Sequence, residues 1–240
     1  MKIDIDFEKV KQTILLAAQK QGLSEAELKD WIEDYDENWR ICYTSNQNES
    51  FLDTLSDLKE EVKLLSQAVP QHDLLASISA IILAKIYSLT LMNFFDKIDG
   101  DIFLLGWGSK LKDKWPSVPE DYKVPDSYKN EVTSTEETTK VNIDIDFEKI
   151  KQTILSAAMM HGLSKDYITK HWHIDYELDL NKEFARLISG LNQNIQIIYQ
   201  AIKNNDMLTA KAGIIRVKPF SHALVDFLTT VFSCFCGFFD

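Results

Sequence analysis

The residues best suited to metal chemistry lie around position 171. In an extended strand His171, His173, Asp175 and Glu177 would share one face, and imidazole with carboxylate side chains is typical of a metal site. On a helix, residues two apart face different ways, so a helical segment would not form this site. The related segment Trp31–Asp36 contains no histidine. We therefore predict no bound metal and no cofactor, and keep a metal-dependent enzyme as the alternative.

Arg216 and His222 form a second candidate pair. Their spacing resembles the Arg-x(4–6)-His pattern of the all-helical HEPN-type ribonucleases, and the resemblance covers these two residues. It implies nucleolytic chemistry at this pair. Pro219 lies between them, and a related part of the chain has Leu83 and Leu89 at the matching positions. The acidic composition disfavours an RNA substrate, because phosphates require a cationic surface.

A third motif, Trp-x-x-Asp-Tyr followed by an acidic residue, occurs twice. Aromatic side chains beside carboxylates are common in protein-binding hot spots. They are also typical of a half-buried helix end whose aromatic rings pack inward. The candidate partner-binding residues are Trp31, Asp34, Tyr35, Asp36, Trp172, Asp175, Tyr176 and Glu177.

Other catalytic motifs are missing from the sequence. It has no Gly-x-Gly-x-x-Gly, Walker, Gly-x-Ser-x-Gly or His-Glu-x-x-His pattern. Eight glycines in 240 residues disfavour a glycine-rich loop that binds phosphate. The sequence therefore favours a protein that is not an enzyme, without deciding the question.

The elements that position these residues occur twice in the chain. Residues 3–24 and 143–164 are identical at 17 of 22 positions, and apolar residues continue to match apolar residues beyond them. Repetition at this distance predicts two related domains rather than a solenoid. We expect an all-α fold from a tandem duplication, with helical-bundle domains at residues 1–109 and 142–240 and a linker at 110–141.

Each repeat begins with a predicted helix. Asp6 is suited to cap its N-terminus, and Gly22 supplies the left-handed conformation that ends it. Ser24–Glu27 reads as a capping box that opens another helix. The alternating residues Ile3–Phe7 predict either a short strand at each repeat start or an extended lead-in to the helix.

Three longer helices follow from the apolar spacing. The first covers residues 50–69 and ends at Pro70, with a counterpart at about 181–202. Residues 74–95 are apolar enough to span a bilayer, but their counterpart is rich in charge, so we predict a central helix buried on nearly all sides. A terminal helix at about 220–238 has one apolar side, which becomes a surface for homo-oligomers if its own domain does not cover it.

The predicted linker, residues 110–141, is rich in proline and in Ser, Thr and Glu. This composition is typical of extended, hydrated chain. Trp115, Tyr122 and Tyr128 are expected to pin part of it to the first domain.

Composition limits the class of protein. The chain is 45% hydrophobic and 26% charged, with a net charge of −11. This acidity disfavours nucleic acid and anionic membranes as partners and suits a basic protein. Three cysteines, an odd number, and no apolar leader predict free thiols and a cytoplasmic location.

Three hypotheses remain open from the sequence. The preferred one is a non-enzymatic, acidic protein-binding module, such as an inhibitor or immunity-type protein that neutralises a basic partner. The second is an enzyme that uses either the histidine segment or the Arg216 and His222 pair. The third is a structural protein that self-associates through its C-terminal helix.

Overall fold

The computed structural model is mainly helical, in agreement with the predicted all-α class, and describes residues 2–24, 39–42, 44–128, 141–171, 178–233 and 235. The first half contains β1 (Lys2–Ile5), α1 (Phe7–Lys20), α2 (Gln47–Ala68) and α3 (Leu74–Trp107). The second half contains β2 (Val141–Asp144), α4 (Phe147–Met160), α5 (Lys165–His171), α6 (Leu180–Lys203) and α7 (Met207–Ser233). Short 3₁₀ turns lie at Val69–Gln71, Lys112–Lys114 and Asp126–Tyr128.

Of the two alternatives for each repeat start, a short strand is the one present, and the two strands pair with each other. The pairing is antiparallel, with Ile3 opposite Ile143 and Ile5 opposite Val141. Ile3 thus faces the residue that matches it in the repeat. Ile5 and Val141 are buried, while Asp4 faces outward and accepts a hydrogen bond from Asn142 at 2.8 Å. The two halves therefore meet at equivalent residues.

Helices of the two halves also pack against each other. The long helices α3 and α7 are in contact, α1 packs on α6, and α2 packs on α4. One cluster of buried apolar side chains includes Leu58 and Phe95 from the first half and Leu191 and Leu228 from the second. The core thus continues from one half into the other.

The N-termini of α1 and α2 cap each other. Asp6 accepts a hydrogen bond from the backbone N–H of Lys9, as the sequence predicted for a capping residue. Asn48, in the first turn of α2, accepts from the N–H of Phe7 at 2.7 Å and donates to Asp6 at 3.0 Å. In return, Glu8 accepts from the N–H of Gln47. Unpaired amides of both helices are satisfied, and two carboxylates face their positive ends.

The same arrangement is found in the second half. Asn181 accepts from the N–H of Phe147 at 2.8 Å and donates to Asp146 at 3.0 Å. Glu148 accepts from the N–H of Leu180 at 2.9 Å. The hydrogen bond from Asn181, followed by that from the N–H of Lys149, lowers the pKa of Asp146. The identical Asp-Phe-Glu-Lys sequences of the two repeats thus make the same contacts.

Several predicted helix ends are correct. Gly22 and Gly162 both adopt φ of 87°, the left-handed conformation that follows α1 and α4. Helix α2 begins three residues before the predicted start, because Asn46 caps it by accepting from the N–H of Glu49. The predicted capping box at Ser24–Glu27 falls mostly outside the described residues, and only Ser24 belongs to them.

The predicted start of the terminal helix at residue 220 is wrong. Helix α7 begins at Met207 and runs through Pro219. A proline inside a helix costs about 3 kcal/mol, and burial on both sides of it offsets that cost. Val217 and Leu224 are completely buried, so the apolar side of α7 is held in the core on either side of the proline. Among the described residues this side of α7 is covered by the chain itself, and self-association through the C-terminal helix stays a prediction.

The prediction that residues 74–95 form a helix buried on nearly all sides is also wrong. Helix α3 extends to Trp107 and is not buried on nearly all sides, because large apolar side chains on its outer face are exposed. Its inner face packs between α2 and α7. The sequence of residues 74–95 has too few polar residues to mark which side faces water, and hence its exposed side was not predicted.

A charged cluster joins α3 to α7. Asp99 lies 2.6 Å from the Lys218 ammonium and accepts a 2.6 Å hydrogen bond from the Ser221 hydroxyl. His222 Nδ1 lies 3.5 Å from the same carboxylate. Asp99 and Ser221 are both buried. The cluster fixes how the two long helices are aligned.

The first part of the predicted linker is packed onto the helices. The indole of Trp115 is buried and donates to the carbonyl of Leu105 in α3 at 2.7 Å. The prediction that Tyr122 and Tyr128 also bind the first half is wrong. Tyr122 bonds to Thr209 at 2.5 Å, and Tyr128 donates to Asp206, so both rings bind the second half. Residues 129–140 lie outside the described residues.

Asn48→Ala should lower the free energy of unfolding by about 2 kcal/mol, because the N–H of Phe7 is then left buried without an acceptor. Chemical denaturation followed by circular dichroism measures this loss. Asn93→Ala, which changes an exposed asparagine of α3, is the matched control and should stay within about 0.5 kcal/mol of the parent. Equal losses in the two variants would contradict the capping role.

Asp99→Ala should lower the free energy of unfolding by about 2 kcal/mol, because it removes the acceptor of Ser221 and the carboxylate that pairs with Lys218. Thermal and urea unfolding both report the change. Asp226→Ala serves as control, since the carboxylate of Asp226 in α7 is largely exposed. An unchanged stability for Asp99→Ala would show that the cluster does not hold α3 against α7.

Candidate functional site

The predicted partner-binding motif lies outside the described residues in both repeats. Trp31, Asp34, Tyr35 and Asp36 fall in the undescribed range 25–38. Trp172, Asp175, Tyr176 and Glu177 fall in the range 172–177, as does His173. Their role in binding a partner remains a prediction.

The residues named for enzyme hypotheses are placed as follows. His171 is the last residue of α5, and its predicted metal-binding neighbours are outside the described ranges. Arg216 and His222 are both exposed on α7. Six residues along a helix turn them about 120° apart, so they do not converge on one point within this chain. His222 instead lies beside Asp99 and, at 3.7 Å, Asp226.

One concave site lies beside the end of α3. A shallow cleft between Leu23, Trp39, Leu104 and Leu111 has a volume of about 20 Å³, enough for about one water molecule. Within the described ranges, no group of three or more His, Cys, Asp or Glu side chains is arranged to hold a metal ion. This cleft is too small for an organic ligand.

Negative charge is concentrated in the first half of the chain. Residues 1–109 contain 19 acidic and 10 basic side chains, a net charge of −9, whereas residues 110–240 contain 18 and 16. Four of the carboxylates are exposed along one outer face of α2. This acidic row consists of Glu49, Asp53, Asp57 and Glu60. Its spacing of four, four and three residues keeps the side chains on one side of the helix.

The acidic row affects a neighbouring carboxyl group. Burial, and then repulsion from Glu60 and Asp57, raises the pKa of Glu61. The Oε2 atom of Glu61 is buried and has no hydrogen-bond partner in the described part of the chain. The charge of this face is therefore not balanced by neighbouring cations at Glu61.

Helix α3 has an exposed apolar row on the face opposite its buried side. This apolar row consists of Leu75, Ile78, Ile82, Ile86 and Leu89, each at least 40% exposed. Contiguous apolar surface of this kind marks interaction sites in many proteins. By length and composition alone α3 could also cross a membrane, a test that the core helix of a soluble protein passes as well.

The apolar row has no equivalent in the second half. Residues 133 positions later on α7 are Leu208, Lys211, Ile215, Pro219 and His222. Only Ile215 among them is a large apolar residue with comparable exposure. The two outer faces therefore differ although the inner faces of α3 and α7 are both apolar.

Cys42 is the exposed thiol among the described residues. Hydrogen bonds from the side chains of Thr44 and then Ser45 lower its pKa from 9.0 to about 7. The Sγ atom lies 3.3 Å from the Thr44 hydroxyl. A substantial fraction of this thiol is thus ionised at neutral pH.

Alkylation of Cys42 by iodoacetamide should show a midpoint near pH 7, because the thiolate is the reactive form. The rate is measured in a Cys234→Ser, Cys236→Ser background, so that only this thiol reacts. Thr44→Val removes the first hydrogen bond and should raise the midpoint toward 9. A midpoint near 9 in the parent would contradict the hydrogen-bonded geometry.

Comparisons of the chain with protein-family models, with curated proteins and with solved structures found no match.

Proposed function

We propose that this protein is a non-enzymatic binding protein that recognises a basic protein partner. Two features support this function, the acidic row of α2 and the apolar row of α3. The two helices are neighbours joined by the short segment Val69–Asp73, and we assign their outer faces to one binding surface. We call this surface the α2–α3 face.

The two rows would contribute to binding in different ways. The apolar row supplies area whose removal from water stabilises a complex. The acidic row accelerates encounter with a basic protein and disfavours acidic competitors. A cation placed beside Glu60 and Asp57 would also relieve the repulsion that raises the pKa of Glu61. Partner binding should thus favour the ionised form of Glu61.

An inhibitor or immunity-type protein that neutralises a basic toxin or nuclease fits this proposal. Such proteins need a complementary surface and no reactive centre. The Trp-x-x-Asp-Tyr motif of each repeat would supply further contacts. A cytoplasmic location agrees with a free, ionisable Cys42.

The division into residues 1–109, 110–141 and 142–240 belongs to the same proposal. We attribute it to tandem duplication, supported by the matched capping contacts of Asp6 and Asp146. After the duplication, either the first half gained its acidic and apolar outer face or the second half lost it. In this proposal the first half binds the partner and the second half supports its fold.

Two other interpretations of the α2–α3 face are less well supported. A membrane surface would contact the apolar row, but anionic lipid would be repelled by the acidic row beside it. A nucleolytic role would require Arg216 and His222 to act together, and their side chains diverge around α7. Protein binding accounts for both rows.

The double variant Asp53→Lys, Asp57→Lys should weaken capture of a basic partner from a lysate of the native host by about tenfold or more. The matched control, Asp113→Lys with Glu120→Lys, makes the same change in net charge at exposed sites outside the face and should retain binding. For the purified partner, affinity measured by calorimetry should fall as salt rises.

Three results would contradict this function. One is a partner whose affinity does not depend on salt or on the acidic row. Another is binding to neutral phosphatidylcholine vesicles that Ile86→Lys abolishes. The third is stoichiometric zinc or manganese in the purified protein that His173→Ala removes.

A further inference from the structure

In the second half of the molecule, a groove between α6 and α7 is filled by the chain itself. Val124 forms a buried cluster with Ile197 of α6 and Ala212 of α7, and Val118 packs against it. Ile197 is only 2% exposed as a result. Residues 118–128 thus act as an internal ligand of this groove.

Two tyrosines fix the internal ligand at the N-terminus of α7. The Tyr122 hydroxyl lies 2.5 Å from the Thr209 hydroxyl. The Tyr128 hydroxyl donates to Asp206 at 3.1 Å, while Asp206 also caps α7 through the N–H of Thr209. The bound segment therefore combines apolar contacts with polar ones at the helix end.

The first half has a matching groove between α2 and α3, with each position 133 residues earlier. Asp73 caps α3 as Asp206 caps α7. His72 and Asn205, which precede these caps, have φ of 53° and 57°. The two helix pairs thus share their connection and its register.

The groove of the first half is open. Leu64 is 41% exposed, whereas its match Ile197 is 2% exposed. Leu75, at the start of α3, is 81% exposed. Ser79 is exposed, whereas its match Ala212 is buried. The surfaces that the internal ligand covers in one half are uncovered in the other.

We infer that the open groove at Leu64, Leu75 and Ser79 binds an extended peptide segment of the partner protein, with apolar side chains in the groove and basic residues beside it. This inference rests on the proposed function and specifies which part of the α2–α3 face binds the partner. The internal ligand of the second half supplies the binding geometry. Such a peptide would cover Leu64 and Leu75 as residues 118–128 cover Ile197.

Differences between the grooves define the sequence that each prefers. Ala76 replaces Thr209, so the open groove has no hydroxyl for a tyrosine and favours Phe or Leu at that point. Asp73 provides a carboxylate at the position that matches Asp206. In the other groove, Asp206 accepts a hydrogen bond from Tyr128.

The walls of the grooves differ in charge. Glu60, one turn from Leu64, and Asp57, two turns from it, replace the uncharged Gln193 and Gly190 of α6. Lysine or arginine beside the apolar residues of the peptide would pair with these carboxylates. The acidic Glu120 and Asp121 of the internal ligand would be repelled there.

The test uses the full chain and a fluorescein-labelled peptide. The peptide has the sequence of residues 116–128 with Glu120→Lys, Asp121→Lys and Tyr122→Phe, and its binding is followed by anisotropy. The internal ligand is covalently attached at an effective concentration on the order of millimolar, so micromolar peptide does not displace it. The signal therefore reports the open groove.

We expect Leu64→Lys with Leu75→Lys to weaken peptide binding at least about tenfold. The control Ile215→Lys changes an apolar residue of α7 that is 41% exposed and lies outside the α2–α3 face, and it should bind as the parent does. A peptide with the unchanged acidic sequence should bind less tightly, and added salt should reduce this difference.

Peptide that fails to bind the parent chain, or that binds the groove variant equally well, overturns the inference. A host partner that the acidic-row variant fails to bind but the groove variant still binds would support the proposed function. The same result would overturn the inference that the groove is the binding site. Concentration-dependent dimers that the groove variant abolishes would assign the site to a second copy and overturn it too.

Discussion

Reciprocal capping of helix N-termini is the interaction on which the rest of this structure depends. Two helix N-termini placed side by side carry positive partial charge and unpaired amides, an arrangement that is unfavourable without compensation. In the first half Asp6 and Glu8 supply this compensation, and Asn48 completes the hydrogen bonds. In the second half Asp146, Glu148 and Asn181 do the same. These hydrogen bonds tie α1 to α2 in the first half and α4 to α6 in the second.

The sequence predicted the parts of the fold that depend on local chemistry. The Asp6 cap, the left-handed Gly22, the short strands and the helix spacing all follow from residues within a turn of each other. Partners distant in sequence were not predictable in the same way. Nothing near Asn48 identifies Phe7 as its donor, and nothing near Tyr128 identifies Asp206 as its acceptor. The exposed row of α3 was hidden because Leu and Ile occupy both its inner and outer faces.

In the candidate site, too, the sequence predicted some features and could not predict others. Composition gave the acidity of the chain, and counting by halves places most of it in residues 1–109. The sequence could not show that Leu64 is open whereas its match Ile197 is covered, because both are apolar residues at the same position of related helices. That difference depends on where residues 118–128 run, and their course is decided by Trp115 and the two tyrosines. Packing, and not residue type, separates the two grooves.

The pairing of β1 with β2 has a consequence for biosynthesis. The paired residues Ile3 and Ile143 are 140 positions apart. At about 5–20 residues per second, a ribosome takes on the order of ten seconds to supply the second strand after the first. The edge of β1 therefore waits unpaired on the nascent chain during that interval, when it is open to wrong pairing. Its four residues and the outward Asp4 keep that edge short and charged, which natural proteins use to discourage strand-to-strand aggregation.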